Sequence, residues 1–149
     1  MRPMNPEEIQ ETLSIGNWAS ICTVGPNGFP HAIEATPFVD DAQCLCFMIN
    51  PRGTTLKNIE NNPNVLLKFT LTTPDLGRWI GVSCFGKGRV ERDPSALARG
   101  WELLGRVMDA DYAKAAEKFS PMLVVAVDRM TGRCNYKRDE SIDFSLWHR

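Results

Sequence analysis

Apolar and polar residues alternate in short runs along much of this chain, with punctuation by Gly, Pro, Asn and Asp between the runs. Val65, Leu67, Phe69 and Leu71 alternate with Leu66, Lys68 and Thr70, which predicts a half-buried strand. Trp79 to Glu91 reads as a longer strand with Ile80, Val82 and Cys84 on one face. Gly86-Lys87-Gly88 interrupts that run and marks a bulge or a barrel corner. Two runs lack alternation altogether. Cys44 to Ile49 and Met122 to Val127 are apolar at every position, which predicts strands covered on both faces.

The helical signals are fewer. Asn5 suits an N-cap, Pro6 the first helical position and Glu8 the acid of a capping box, with Ile9 and Leu13 on one apolar face and Gly16-Asn17 as the stop. Trp18 to Val24 is then a strand, Gly25-Pro26-Asn27-Gly28 a turn, and Phe29 to Val39 the hairpin partner, with Pro30 and Pro37 restricted to ends, edges or bulges. Asp40-Asp41 and Thr73-Pro74-Asp75-Leu76-Gly77 are further turns. Asp93 caps a helix from Pro94 whose buried stripe is Leu97, Trp101, Leu104 and Met108. A second helical stretch is expected from Asp111 to Phe119, a turn at Thr131-Gly132, and one more short strand near Cys134 to Tyr136. Hairpins dominate and crossover helices are scarce, so the order favours an antiparallel barrel over a doubly wound sheet.

Size and composition narrow the classes. At 149 residues, 43% hydrophobic and 23% charged, the chain reads as one globular domain over 1–149 with a core of its own. A net charge of −1 gives no basic footprint for nucleic acid or anionic membrane. The polar N-terminus does not read as a signal peptide and no run reaches spanning length, so a cytoplasmic protein is expected. Five cysteines with no CxxC, and only His31 and His148 as histidines, argue against a disulfide framework and against a metal site.

The segment from Phe47 to Pro63 carries the clearest chemistry. An apolar strand ends in a Gly-containing turn, and the helix that follows opens with Thr54 and Thr55 and carries Lys57, with Arg52 just upstream. Free backbone N–H groups at a helix start, its positive dipole end, two hydroxyls and two cations suit a phosphate. The same residues also fit a threonine N-cap on a surface helix with solvated cations. The glycines of Gly86-Lys87-Gly88 do not make a dinucleotide fingerprint, since neither a third glycine nor a helix start follows.

Four groups of residues, in this order and spacing, resemble the pyridoxamine 5′-phosphate oxidase-like family of FMN-binding split barrels. They are Thr-Val-x-x-x-Gly-x-Pro-His at Thr23 to His31, Leu-Cys-Phe-Met-Ile at Leu45 to Ile49, Thr-x-Lys-Asn-Ile-Glu-Asn-Asn-Pro-Asn-Val at Thr55 to Val65, and Arg-Trp-Ile-Gly-Val-Ser-x-x-Gly at Arg78 to Gly86. The similarity covers about Glu7 to Val127 and is strongest to the small general-stress-protein branch. It implies a mainly β (α+β) fold, an antiparallel split β-barrel with flanking helices. It implies a homodimer with FMN at the subunit interface.

By the same resemblance the phosphate falls to Thr55 and Lys57, with Thr54 and Arg52 beside them. The strand along the flavin ring falls on Ile33, Glu34 and Ala35, and the strand entering the phosphate turn on Met48, Ile49 and Asn50. Trp79 belongs to a part contributed across the interface. Many relatives carry arginine where Ile33 or Leu56 stands here, and Arg52 is a candidate replacement. Glu34 is expected to face outward, because a carboxylate beside the ring opposes anionic reduced flavin.

The function implied is an FMN-dependent oxidoreductase acting on a small molecule, with no protein catalytic group identified. Oxidation of pyridoxamine phosphate itself is disfavoured, because Trp147 and Arg149 only faintly echo the basic C-terminal pattern of that enzyme. The alternatives are a non-catalytic protein that binds flavin, haem or a deazaflavin, with His31 or His148 as haem ligand, and a dimeric scaffold without cofactor.

Overall fold

The computed structural model describes residues 1–109, 111 and 121–147. The first elements are a two-residue strand, β1 (Arg2–Pro3), and the helix α1 (Pro6–Ile15). The capping box forms as the sequence predicts: Asn5 Oδ1 accepts from the Glu8 N–H at 2.8 Å, and Glu8 Oε2 accepts from the Asn5 N–H at 2.9 Å. The Glu8 carboxylate also takes two N–H groups of the Arg2 guanidinium, at 2.9 and 2.7 Å. One side chain therefore starts the helix and ties it to β1.

The remaining elements are β2 (Ala19–Val24), β3 (Pro30–Ala35), β4 (Phe38–Val39), β5 (Leu45–Met48), α2 (Thr54–Asn61), β6 (Asn64–Thr72), β7 (Trp79–Glu91), α3 (Pro94–Leu104) and β8 (Met122–Cys134), then a 3-10 turn at Phe144–Leu146. The strands form one sheet in the order β3-β2-β6-β7-β8-β5-β4, with β1 paired to the end of β8. Every pairing is antiparallel. The register shifts between Phe85 and Gly86, which places the expected bulge in β7. There a Cβ on residue 86 would lie 2.2 Å from the Ala126 carbonyl oxygen, so only glycine lets the two strands meet.

The alternating residues fill the inside of the curled sheet. Ile21, Phe47, Leu67, Phe69, Ile80, Val82, Leu123 and Val125 are buried there with Leu56 and Ile59 of α2. A second cluster, Phe38, Cys46, Leu104, Met122 and Val124, lies under α3. Asp93 caps α3 by accepting from the Ala96 N–H at 3.0 Å. Leu97, Trp101 and Met108 are only partly buried against this cluster, and Met108 lies beyond the end of the helix.

Three sequence expectations need correction. The strand expected over Phe29 to Val39 is two strands, parted at Thr36-Pro37 and lying at opposite edges of the sheet. The proline at 37 cannot supply a ladder donor, which is why the pairing ends there. Second, Thr131-Gly132 is no turn. β8 runs straight through to Cys134, and Gly132 is needed because a side chain would strike Met4 and Ile9, each about 2.8 Å from its Cβ position. Third, no separate strand forms near Cys134 to Tyr136: Cys134 is the last residue of β8, paired with both β7 and β1, and Asn135 and Tyr136 lie in a bend beyond it. The helical stretch expected over 111–119 lies outside the described residues except at Asp111. Among the described residues no helix is long and apolar enough to cross a membrane.

Candidate functional site

The connection from β5 into α2 is built by Asn50. Its carbonyl accepts from the Gly53 N–H at 3.0 Å, and its side-chain Oδ1 accepts from the Arg52 N–H at 2.9 Å. These two hydrogen bonds accepted by Asn50 fix the start of α2 just after Gly53. The N-cap is thus Gly53 rather than a threonine, and with no side chain there nothing caps the first turn. The N–H groups of Thr54, Thr55 and Leu56 face the positive end of the helix without an intrahelical acceptor.

What surrounds that turn matches the residue types the sequence singles out. Arg52, Thr54 and Lys57 are exposed, and neither cation is ion-paired among the described residues. Thr55 is buried at 3% exposure, and its Oγ1 has no hydrogen-bond partner. A buried hydroxyl left unpaired costs on the order of 1–3 kcal/mol, so an unpaired one in a native fold calls for an explanation.

Sequence reasoning did not foresee how α2 is seated. Its buried face is Thr55, Leu56, Asn58 and Ile59, and it packs on β2, β3 and β7. Asn58, 2% exposed, donates from Nδ2 to Thr23 Oγ1 at 3.0 Å. This buried polar pair fixes the rotation of α2 on the sheet. The signal was present: Asn58 falls on the apolar side of the helix beside Ile59, and Thr23 continues the inward alternation of Ile21.

On β3 the half-buried face carries His31, Ile33 and Ala35, opposite Thr23, Ile21 and Ala19 of β2. Ile33 and Ala35 pack against the core. Glu34 points to the other face, as expected, and accepts from the Ser20 hydroxyl at 2.9 Å. Burial, and secondarily the Glu34 charge, push the nearby Cys22 thiol up from its ordinary value.

Two of the sequence candidates turn their side chains away from the turn. Met48 packs under α3, where a Cβ on Gly100 would come within 2.6 Å of its methyl group, and Ile49 is in the main core. Only their backbones border the turn. Trp79 is separated further. The α2 residue Ile59 abuts Gly88 of β7, and Trp79 stands nine positions along that strand, about 30 Å at ~3.3 Å per residue. Among the described residues, no group of three His, Cys, Asp or Glu is placed to hold a metal ion.

Comparison with known proteins agrees on the architecture. The fold is similar to that of a putative 5-nitroimidazole antibiotic resistance protein from Bacteroides thetaiotaomicron, at a TM-score of 0.74 and 18% identity over 89% of this chain and 86% of the other. It is similar to a FAD-binding protein from Mesorhizobium loti, at 0.68 and 16% over 91% and 98%. It is also similar to the haem storage protein HutZ from Vibrio cholerae, at 0.68 and 14% over 84% and 92%. No curated protein matches the sequence. The curled antiparallel sheet with three flanking helices is the split barrel these proteins share. The family model for pyridoxamine 5′-phosphate oxidase matches residues 6–134, nearly the whole of the sheet and the three helices that border it, and the chain belongs to that family.

Proposed function

We propose that this protein binds FMN, with the flavin phosphate at the first turn of α2, and acts as a flavin-dependent oxidoreductase on a small molecule. The observation that carries the reading is the unpaired Thr55 hydroxyl at a helix start that nothing caps. A phosphate oxygen supplies the partner that Thr55 Oγ1 lacks, and the free N–H groups of Thr54, Thr55 and Leu56 donate to the same group. Arg52 and Lys57 neutralise its charge. Arg52, held by the Asn50 turn, takes the place of the arginines absent at Ile33 and Leu56.

The flavin, when bound, supplies hydride or electron transfer at its ring. Ile33 and Ala35 give that ring an apolar wall, and Glu34 keeps its charge on the far side of β3. By the family resemblance the protein is a homodimer in which Trp79 of the partner subunit reaches this site. FAD-binding and haem-binding proteins among the structural neighbours are consistent with a planar cofactor in this barrel.

The test is the visible spectrum of the purified protein followed by titration of the apo form with FMN. The expected result is a flavin spectrum and about one FMN per chain. Lys57→Ala should bind about tenfold more weakly, for the loss of one charge-assisted contact. Thr55→Val should also bind FMN more weakly while folding at least as stably, because it removes an unpaired buried hydroxyl. Unchanged FMN affinity in both variants would sink the assignment.

A second reading is haem binding. It rests on His31, which sits half-buried on the same face as Ile33 and whose ring has no hydrogen-bond partner among the described residues. A Soret band after reconstitution with haem, lost in His31→Ala, would favour it over the flavin.

A further inference from the structure

The candidate phosphate turn stands on a helix of only 8 residues, and the contacts of that helix decide where its first turn points. At the N-terminal end the Asn50 carbonyl and side chain hold the N–H groups of Gly53 and Arg52. Past the C-terminal end the Gly88 N–H donates to the Pro63 carbonyl at 2.7 Å, and a Cβ on Gly88 would come within 2.9 Å of Ile59 Cδ1. These contacts fix the two ends. Between them the buried face offers two kinds of contact. Leu56 and Ile59 are apolar, and apolar burial has no direction of its own. The hydrogen bond from Asn58 Nδ2 to Thr23 Oγ1 does have one.

Thr55 stands three residues before Asn58 on the same buried face. What holds Asn58 therefore aims the unpaired Thr55 hydroxyl and the free N–H groups of the first turn. A roll of α2 by about 20° would move an atom ~5 Å from the helix axis by about 1.7 Å, well beyond the ~0.5 Å over which a hydrogen bond keeps its length. Leu56 and Ile59 would stay covered through such a roll. Thr23 is also the cross-strand partner of His31, on the half-buried face of β3 that carries Ile33 and Ala35. The Asn58–Thr23 bond thus ties the phosphate end of the site to the strand beside its ring.

We propose that Asn58 and Thr23 are positioning residues that make this site selective for a flavin bearing a phosphate. This role rests on the FMN reading of the site. The two side chains hold each other rather than the ligand, and they act through the orientation of Thr55 and of the first-turn N–H groups. A merely structural pair would affect phosphorylated and unphosphorylated flavin alike. A positioning pair affects only the contacts to the phosphate. The double variant Thr23→Val/Asn58→Leu separates the two, because an apolar contact in place of the hydrogen bond restores burial without restoring direction.

The test is titration of the full chain, freed of flavin, with FMN and with riboflavin, followed by flavin fluorescence, with the urea midpoint of each variant measured alongside. The unaltered protein should bind FMN about 100-fold more tightly than riboflavin, the equivalent of two charge-assisted hydrogen bonds at about tenfold each. In Thr23→Val, Asn58→Leu and the double variant that preference should fall to about tenfold, with riboflavin affinity unchanged. The double variant should show this loss even as its stability returns toward that of the unaltered protein. Thr23→Ser keeps the acceptor and should keep the preference. If the unaltered protein binds both flavins equally, or neither, the phosphate reading fails and the positioning role falls with it. If the unaltered protein prefers FMN and the folded double variant prefers it as strongly, the phosphate site stands and the positioning role is overturned. Equal losses for both flavins, or loss of the preference in Thr23→Ser, would overturn it as well.

Discussion

The buried hydrogen bond between Asn58 and Thr23 should behave as a coupled pair whose removal is worse by halves than in full. Thr23→Val keeps the shape of the side chain but leaves the Asn58 amide, 2% exposed, without the acceptor it holds at 3.0 Å. Leaving a buried amide unpaired costs about 1–3 kcal/mol, while the bond itself contributes roughly 1 kcal/mol net. Thr23→Val is therefore expected to destabilise by about 1.5–2 kcal/mol. Asn58→Leu removes the donor instead, stranding the Thr23 hydroxyl at 1% exposure. Its cost should be of the same order. In the double variant neither group remains to be satisfied, and replacing both partners by apolar groups is nearly neutral when the shape is kept. The pair should then show a coupling of at least ~1 kcal/mol, well above the ~0.5 kcal/mol within which independent sites add. Urea unfolding followed by fluorescence measures it. With a slope of about 2 kcal/mol/M, each single variant should unfold at a midpoint lower by about 0.7–1 M, and the double variant closer to the unaltered protein. Simple additivity of the two costs would refute the reasoning, because it would mean that the two groups are satisfied by water rather than by each other.

Two further predictions concern folding and pH. Gly86→Ala forces a methyl group to within 2.2 Å of the Ala126 carbonyl oxygen, and the obstacle is the backbone of β8 rather than a side chain that can swing away, so a loss of about 2–3 kcal/mol is expected in the same unfolding assay. A change under 0.5 kcal/mol would show that the β7–β8 bulge yields freely. The Arg2 guanidinium holds the Glu8 carboxyl below its ordinary value near 4.5, with the Asn5 N–H adding to the effect. A carboxyl depressed in the folded state contributes stability that is full above the unfolded value and is lost as pH falls through the folded one. Stability should thus fall more steeply below about pH 4.5 in the unaltered protein than in Glu8→Gln, which itself costs about 1 kcal/mol at pH 7. Parallel pH profiles of melting temperature for the two proteins would contradict this.

Local chemistry made much of the fold legible. Asn5, Pro6 and Glu8 specify α1 through contacts within four residues, and the alternation of Val65, Leu67 and Phe69 specifies a strand whichever partner it meets. What escaped was set by distant residues. Gly132 looks like a turn residue until Met4 and Ile9 are seen packing over it. Arg2–Pro3 is too short and polar to read as a strand, and exists because β8 offers an open edge. The candidate phosphate turn was legible because its donors lie close together in sequence. The division of Phe29 to Val39 was half visible: Pro37 marked a limit, but nothing local told which edge of the sheet the next two residues would join.

The pairing of Arg2 with Cys134 has a consequence for how this protein is made. Residues 132 positions apart meet in the sheet, and β2 finds β6 while β5 waits for β8. On a ribosome the chain emerges from its N-terminus, so β5 and β7 are exposed before the strand that lies between them has been synthesised. At about 5–20 residues per second, the interval from Met48 to the end of β8 lasts several seconds. During that time Phe47, Leu45 and Val82 have no β8 to cover them, and α1, which packs on β6, β7 and β8, lacks part of the sheet it lies on. The half-barrel is completed by its last long strand, and a ribosome-bound chain stalled before Met122 should be sensitive to protease throughout the sheet.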